Sequence, residues 1–202
     1  MGMQKGKVKM GNSKAWVVLG LVICIIAHPA TGMAAGVFIS QPTSVHIQAI
    51  DYTDSRPLRE TGQPSGYALR FLIGDRLGVT YQQTVIPVEI DNEKTNDPSV
   101  LGIRSIGFFG FDRISNSGWG GGMDFYLGSP TLECNSSICE DWKPQWGSAF
   151  SVAGRFGYDV AGFGIFGYMQ AHYLSINMGS YQSLGTQTIN ATETGIGIRM
   201  VF

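Results

Sequence analysis

The segment that most constrains the fold is the last one, residues 192–202, which reads TETGIGIRMVF. Every second position from 196 onwards carries an apolar side chain, Ile196, Ile198, Met200 and Phe202, and Thr194 precedes them in the same register. The positions between them include Glu193 and Arg199. Strict alternation predicts a β-strand with one apolar and one polar face. Both a barrel wall in contact with lipid and the last strand of a soluble sandwich satisfy this pattern.

The composition favours strands over helices as the elements that meet a membrane. Hydrophobic residues make up 44% of the 202 residues and charged residues only 14%. No apolar run reaches the roughly 18 residues that a membrane-spanning helix needs. The chain also contains 28 glycines, and 11% of its residues are aromatic. These features fit strands whose two faces contact different solvents.

Residues 1–35 have the pattern of a signal peptide, and we expect residues 36–202 to form the mature domain. Four lysines precede an apolar run at 15–27, and small residues follow as far as Ala35. An anchor helix is the alternative, but the run is short for one. Because this segment contains four lysines and no acidic residue, its removal leaves a mature chain with more acidic than basic residues. An acidic domain argues against nucleic acid as a partner.

The mature chain contains two cysteines, Cys134 and Cys139, in the run CNSSIC. Two close cysteines in an exported protein predict a disulfide that closes a small loop. Their spacing matches neither a C-x-x-C redox motif nor a four-ligand zinc site. We therefore expect a disulfide here, with no bound metal and no cofactor.

Eight strand-like segments follow one another along the mature chain. They are residues 45–55, 66–73, 78–88, 100–111, 120–129, 148–158, 163–174 and 192–202. The links between them alternate, with 10, 11, 18 and 17 residues in the odd-numbered links and 4, 8 and 4 in the others. Long and short links at opposite ends are typical of membrane β-barrels. Residues 36–44 show no periodicity, and we expect a lead-in segment there.

Charged residues favour one face of these strands. On the face that the last strand defines as outward, strands two to eight carry no Asp, Glu, Lys or Arg. The other face carries Arg70, Arg104, Asp124, Arg155, Glu193 and Arg199. An arginine that faces lipid at mid-bilayer costs about 2–4 kcal/mol, whereas a soluble barrel would place its charges outside. We therefore predict an all-β, eight-stranded antiparallel up-and-down transmembrane β-barrel with these six side chains in its lumen as a charge network.

With its signal peptide, its eight alternating strands and its terminal Phe202, the chain resembles small outer-membrane barrels of the OmpX, OmpA-transmembrane and opacity-protein type. The resemblance covers the mature chain, and the run IGIRMVF is similar to the signal that the outer-membrane assembly machinery reads, ending on Phe202. It implies a monomer in the bacterial outer membrane, in contact with lipid and lipopolysaccharide. It also implies a structural or surface-interaction role, which we assign to loops 130–147 and 175–191.

An enzyme is the main alternative, because AHYLSIN is similar to the active-site run of lipid A deacylases of the PagL type. That resemblance would make His172, Ser175 and Glu193 catalytic residues. His172 and Glu193 share a face near the same end of neighbouring strands, so we expect them to be in contact. His172 and Ser175 are three residues apart, however, and a regular strand points them to opposite faces. We therefore expect a lumen histidine paired with a carboxylate.

A narrow channel is the second alternative. An eight-stranded barrel is only wide enough for its own side chains or one small ligand. Charged side chains in such a lumen serve more readily as a paired structural network than as a path for solutes, because buried charges require partners.

Overall fold

The computed structural model describes residues 35–49, 58–73, 77–90, 99–113, 117–133, 145–177 and 186–201. These residues form nine strands: β1 (Ala35–Ala49), β2 (Leu58–Glu60), β3 (Ser65–Ile73), β4 (Leu77–Ile90), β5 (Ser99–Arg113), β6 (Ser117–Glu133), β7 (Gln145–Val160), β8 (Phe163–Asn177) and β9 (Thr186–Val201). None of these ranges includes a helix that could cross a membrane. The predicted signal peptide, apart from its last residue Ala35, lies outside them and stays a prediction.

All strand pairs are antiparallel, and the sheet closes on itself. Sequential neighbours pair from β3 to β9, and β1 pairs with both β3 and β9. The short β2 pairs with β4 beyond the end of β3, so β2 and β3 together fill one position of the wall. The predicted eight-stranded up-and-down barrel is therefore confirmed.

The strands are tilted, as closure of a barrel requires. The tilt can be traced by moving from each residue to the one directly opposite it on the next strand. Such a path, started at Ile39 on β1, passes through β3 and each later strand in turn. It arrives back on β1 at Gln48 and not at Ile39. This offset means that each strand is displaced along its neighbour by about one residue.

The predicted alternation of link lengths is also present. At one end, β3 and β4, β5 and β6, and β7 and β8 are joined by two or three residues. The β7–β8 turn is Ala161–Gly162, and both residues have positive φ, 50° and 83°. Positive φ at both central residues is the requirement of a two-residue type I′ hairpin turn. The links at the other end are longer.

The first strand differs from the prediction. We expected a lead-in at residues 36–44 and a strand at 45–55, but β1 spans Ala35–Ala49. A β-bulge lies between Pro42, which pairs with Gly195, and Ser44, which pairs with Thr194. The extra residue exchanges the two faces of the strand, so that Phe38 is buried before it and Val45 after it. Strict alternation therefore fails across the segment.

The predicted orientation of one half of β5 was wrong. Leu101 and Ile103, expected on the outer face, are fully buried, and Arg104 is exposed on the outside. The pairing with β6 skips residue 109, because Phe108 pairs with Phe125 and Gly110 with Asp124. A single alternation cannot describe a strand that contains such a bulge. Arg104 is therefore not part of the lumen network.

The strands also extend further into the long links than expected. The predicted loop 130–147 begins only after Glu133 and ends at Gln145, and the predicted loop 175–191 is strand up to Asn177 and again from Thr186. These extensions are rich in Ser, Thr and Asn, which are typical of loops. Their buried positions, however, are occupied by Leu132, Ile176 and Ile189.

The interior of the barrel differs between its two ends. In the half next to the long links, here the long-link half, an apolar cluster fills the lumen. Its members are Val45, Ile47, Leu58, Ile86, Val88, Leu101, Ile103, Leu132, Ala149, Leu174, Ile176, Ile189 and Ala191. In the half next to the short turns, here the short-turn half, the buried side chains include Arg70, Asp124, Asp159 and Arg199. Side chains thus occupy both halves, with opposite chemistry.

The exterior changes in the opposite sense. Large apolar side chains exposed on the short-turn half include Ile39, Val79, Tyr81, Ile106, Trp119, Met123, Phe125, Phe156, Tyr158, Val160, Phe163, Ile165, Met169, Ile196, Ile198 and Met200. Fewer are exposed at the boundary or beyond it, among them Trp146, Phe150 and Tyr173. Exposed side chains on the long-link half include Ser44, His46, Gln48, Arg59, Glu133, Ser148, Asn177, Thr186 and Thr192. An apolar exterior belongs in lipid and a polar one in water. The short-turn half is therefore the membrane-spanning part.

Candidate functional site

The short-turn half of the lumen contains a charged cluster that ties three strands together. Asp124 on β6 accepts hydrogen bonds from Arg70 on β3 and from Arg155 on β7. The Tyr126 hydroxyl donates a third hydrogen bond to Asp124 at 3.1 Å. Arg70 and Asp124 are almost fully buried, at 2% and 3% exposure. Opposite charges at this depth stabilise one another because water is excluded.

A second ion pair lies nearer the short turns and was missed by the sequence analysis. Arg199 on β9 forms a two-pronged hydrogen-bonded pair with Asp159 on β7. Asp159 falls in the predicted link 159–162, although its spacing of four from Arg155 places both residues on one face of a strand. The ring of Phe38 lies between the arginines, with the guanidinium carbons of Arg70 and Arg199 at 5.4 and 5.9 Å from its centroid. These cation–π contacts join the two clusters.

Glu193 forms the centre of a third cluster, close to the apolar core of the long-link half. Its carboxylate accepts hydrogen bonds from Gln82 Nε2 at 3.1 Å, Thr84 Oγ1 at 2.9 Å and the Tyr168 hydroxyl at 2.6 Å. His172 Nε2 lies 3.3 Å from the same carboxylate. Glu193 is fully buried, and these groups occupy most of its acceptor positions.

The expected contact between His172 and Glu193 is thus present, but the catalytic alternative gains no support from it. Ser175 is only partly buried, on the strand face opposite to the buried His172. Ser151 takes the remaining position on the imidazole instead, with its hydroxyl 2.9 Å from Nδ1. Ser151 and His172 are 1% and 2% exposed, so a lipid ester does not reach them.

A small cavity lies in the lumen nearer the short turns, beside Arg70, Arg155 and Tyr126. Its volume of about 20 Å³ is enough for roughly one water molecule. Neither Ser151 nor His172 lines it. Over the described ranges, no group of three or more His, Cys, Asp and Glu residues is placed to hold a metal ion.

At the rim of the long-link half, β2 is fastened to β1 by a side chain. Glu60 Oε1 lies 2.8 Å from His46 Nδ1, and Glu60 Oε2 accepts a hydrogen bond from the Ile47 N–H at 3.1 Å. The β1–β3 ladder ends at Ser40 and Ala68, so this side chain replaces a backbone ladder. Partial burial raises the pKa of Glu60, but hydrogen bonds from its own N–H, from His46 and from Ile47 outweigh it and leave the pKa below its usual value.

Three predicted functional residues lie outside the described residues. Cys134 and Cys139 belong to the link between β6 and β7, and Phe202 follows the end of β9. The disulfide and the assembly signal therefore stay predictions.

No protein-family model and no curated protein matches the sequence. Solved structures do match the fold. One is Neisserial surface protein A (NspA), at 12% identity with a TM-score of 0.52, covering 86% of this chain and 99% of NspA. The chain has the fold of a small outer-membrane β-barrel. Two further matches are OprG from Pseudomonas aeruginosa (14% identity, TM-score 0.46, covering 84% and 96%) and Ail of Yersinia pestis (15%, 0.45, covering 83% and 99%).

The predicted place in the bacterial outer membrane agrees with this fold and with the apolar exterior of the short-turn half. In such barrels the longer links lie outside the cell. This orientation places the long-link half, with its polar exterior, on the outside.

Proposed function

We propose that the protein is a monomeric, non-enzymatic outer-membrane protein that holds an interaction surface above the membrane. One observation carries this proposal, namely that inside and outside exchange polarity along the same strands. The long-link half has the apolar core and polar exterior of a water-soluble β-barrel. Such a half is a rigid platform and not a set of loops. The outer-membrane assembly machinery would insert the chain, with Phe202 as the end of its signal.

The surface that we assign to a partner is the exterior of β6 to β9 in the long-link half. Trp146 is 59% exposed there and stands opposite Thr131 on β6. Exposed tryptophans among polar side chains are frequent anchors in protein interfaces. The strand ends that flank residues 134–144 and 178–185 lie on the same side of the barrel. These elements together replace the two longer loops that the sequence analysis had assigned to this role.

The filled lumen argues against the channel alternative. A solute would have to displace the apolar side chains of the long-link half, including Ile86, Leu101 and Leu174, which are fully buried. It would also have to separate the ion pairs of Asp124. We therefore expect purified barrels in planar bilayers to show no stepwise conductance.

Lipid A analysis separates the proposed function from the hydrolase alternative. We expect lipid A to have the same acyl chains in cells with the protein, in cells without it, and in cells with His172→Ala. A lost acyl chain that depends on His172 would overturn the non-enzymatic proposal.

Attachment of expressing cells to immobilised glycans and matrix proteins tests the surface itself. Trp146→Ala should reduce attachment. Trp119→Ala is the matched control, because Trp119 is 65% exposed but belongs to the apolar exterior of the short-turn half. Attachment no greater than that of cells without the protein, or equally reduced by both variants, would contradict the proposal.

A further inference from the structure

Arg104 carries its charge on the outer wall of the barrel. Its neighbours along β5, Ile103 and Ser105, point into the lumen and are 0% and 2% exposed. Arg104 itself is exposed. The outer wall next to it, towards the short turns, is apolar, so a charged side chain at this position requires an explanation.

The position of Arg104 is the boundary between the apolar and the polar exterior. The next outward residue towards the short turns is Ile106, which is 44% exposed and stands opposite Tyr81 and Leu127. The next outward residue towards the long links is Gly102. An arginine costs several kcal/mol in mid-bilayer but only about 0–1 kcal/mol near an interface. Its long side chain reaches the headgroup layer from there.

The wall around Arg104 offers one side-chain amide but no negative charge. Gln83 on β4 and Ser129 on β6 are directly opposite it, and the Ser129 hydroxyl donates to the Gly147 carbonyl oxygen at 3.1 Å. Gln83 Oε1 accepts a long hydrogen bond from the Tyr81 hydroxyl at 3.5 Å, and the amide Nε2 takes no part in that contact. The remaining outward neighbours on the two flanking strands are Tyr81, Val85, Leu127 and Thr131. None of these side chains is a carboxylate.

Arg59 shows the contrast. It is also exposed, but it lies on β2 directly opposite Glu89 of β4. The wall thus places an acidic residue, and with it a counter-charge, directly opposite the arginine that is farther from the apolar exterior. For Arg104, at the edge of the apolar exterior, a membrane lipid is positioned to supply it.

We propose that Arg104 and Gln83 bind a phosphate on the headgroup of lipopolysaccharide. A guanidinium and an amide N–H₂ are suited to phosphate oxygens. The acyl chains would lie on Tyr81, Ile106 and Leu127, directly below. Lipopolysaccharide is the source because Arg104 lies towards the long links, which face the outside. This inference rests on the outer-membrane placement and not on the surface partner of the proposed function.

The experiment is a binding titration of the mature barrel, in uncharged detergent, with lipid A followed by native mass spectrometry. We expect Arg104→Gln to weaken binding about tenfold, the loss of one charge-assisted contact. Arg104→Lys should retain part of the affinity, because it keeps the charge but not the paired donors. Arg59→Gln is the matched control and should bind like the natural chain. Heat-modifiable gel mobility checks that each variant is folded.

Two further ligands identify the chemistry. Dephosphorylated lipid A should bind all variants equally and weakly, and phosphatidylglycerol should bind less tightly than lipid A. Equal affinity of the natural chain and Arg104→Gln for lipid A would overturn the site. Equal affinity for lipid A and phosphatidylglycerol would overturn its assignment to lipopolysaccharide. Neither result depends on whether cells gain attachment, so the outcome is separable from that of the proposed function.

Discussion

The short-turn half and the long-link half are built from the same strands but follow opposite rules. The short-turn half places charges such as Asp124 inside and apolar side chains such as Ile165 outside. The long-link half places Leu174 inside and Ser175 outside. The rule in each half is set by the solvent that surrounds it. A strand therefore has no single polar face along its whole length.

The change occurs at one layer of the lumen, at the hydrogen bonds of Glu193. On β9, the inward residue Glu193 is followed towards the long links by Ala191 and Ile189, and on β4, Thr84 is followed by Ile86. A carboxylate that accepts several hydrogen bonds at this layer lets a charged interior meet an apolar one without leaving the charge of Glu193 unpaired. The halves differ accordingly in what each mutation should do.

The largest effect is expected from Asp124→Ala in the short-turn half. The change removes the carboxylate that Arg70 and Arg155 share, and loss of one partner of a buried ion pair costs about 3–5 kcal/mol. The measurement is the free energy of unfolding in urea with the barrel in lipid vesicles. Glu133→Ala, an exposed acid of the long-link half, is the control and should change it by less than about 0.5 kcal/mol. Similar losses in both variants would mean that the Asp124 cluster contributes little.

A somewhat smaller loss is expected from Leu174→Ala in the long-link half. Leu174 is fully buried in the apolar cluster, and truncation of such a side chain costs about 2–5 kcal/mol. Met169→Ala, on the outward face of the same strand, is the control and should cost less. If Met169→Ala were the more damaging variant, the long-link lumen would not be a packed core.

Substituting arginine at one outward position in each half compares the solvents that surround the two halves. Ile165→Arg lies in the apolar exterior and should cost about 2–4 kcal/mol, whereas Ser175→Arg should cost about 0–1 kcal/mol. Both residues are on β8 and both point outward. Equal losses in the same unfolding assay would show that both positions contact the same solvent.

The smallest effect concerns the fastening of β2 by Glu60. The folded-state pKa of Glu60 is lowered, so its stabilising contribution is complete above the pKa of the unfolded chain and is lost as the pH falls through the folded-state pKa. We expect Glu60→Gln to reduce protection of the Ile47 amide in hydrogen exchange at pH 7 and to make less difference in acid. A difference that grows on acidification would have the wrong sign for this carboxylate.

The barrel architecture could be predicted from the sequence, because alternation, link lengths and charge placement each depend on the barrel as a whole. The prediction of which face a residue belongs to failed where one extra residue breaks the alternation. Bulges in β1 and β5 exchange the two faces, so the lead-in at 36–44 was wrongly expected and Arg104 was placed in the lumen. The ends of β6 to β9 were predicted as loops because they are rich in Ser and Thr. Strand residues that point outward into water are polar as well, so this composition does not distinguish a strand from a loop.

The candidate site was less predictable than the fold. His172 and Glu193 were paired correctly, because both belong to strands with regular alternation. Asp159 and Ser151 were not assigned roles, since their partners come from other strands, β9 and β8, whose registers a sequence does not specify. The apolar lumen of the long-link half was missed for a similar reason, because one polarity had been assumed for the whole length of each strand.

The exchange of polarity is tested most directly by spin labels on the outward face of β8. Single cysteines replace Ile165 and Ser175 in a chain whose Cys134 and Cys139 are serines, and the labelled barrels are placed in lipid vesicles. Collisions with oxygen report lipid, and collisions with a water-soluble nickel chelate report water. We predict that the label at 165 collides mainly with oxygen and the label at 175 mainly with the nickel chelate. Predominantly oxygen collisions at both positions would contradict it, because the long-link half would then lie in the membrane.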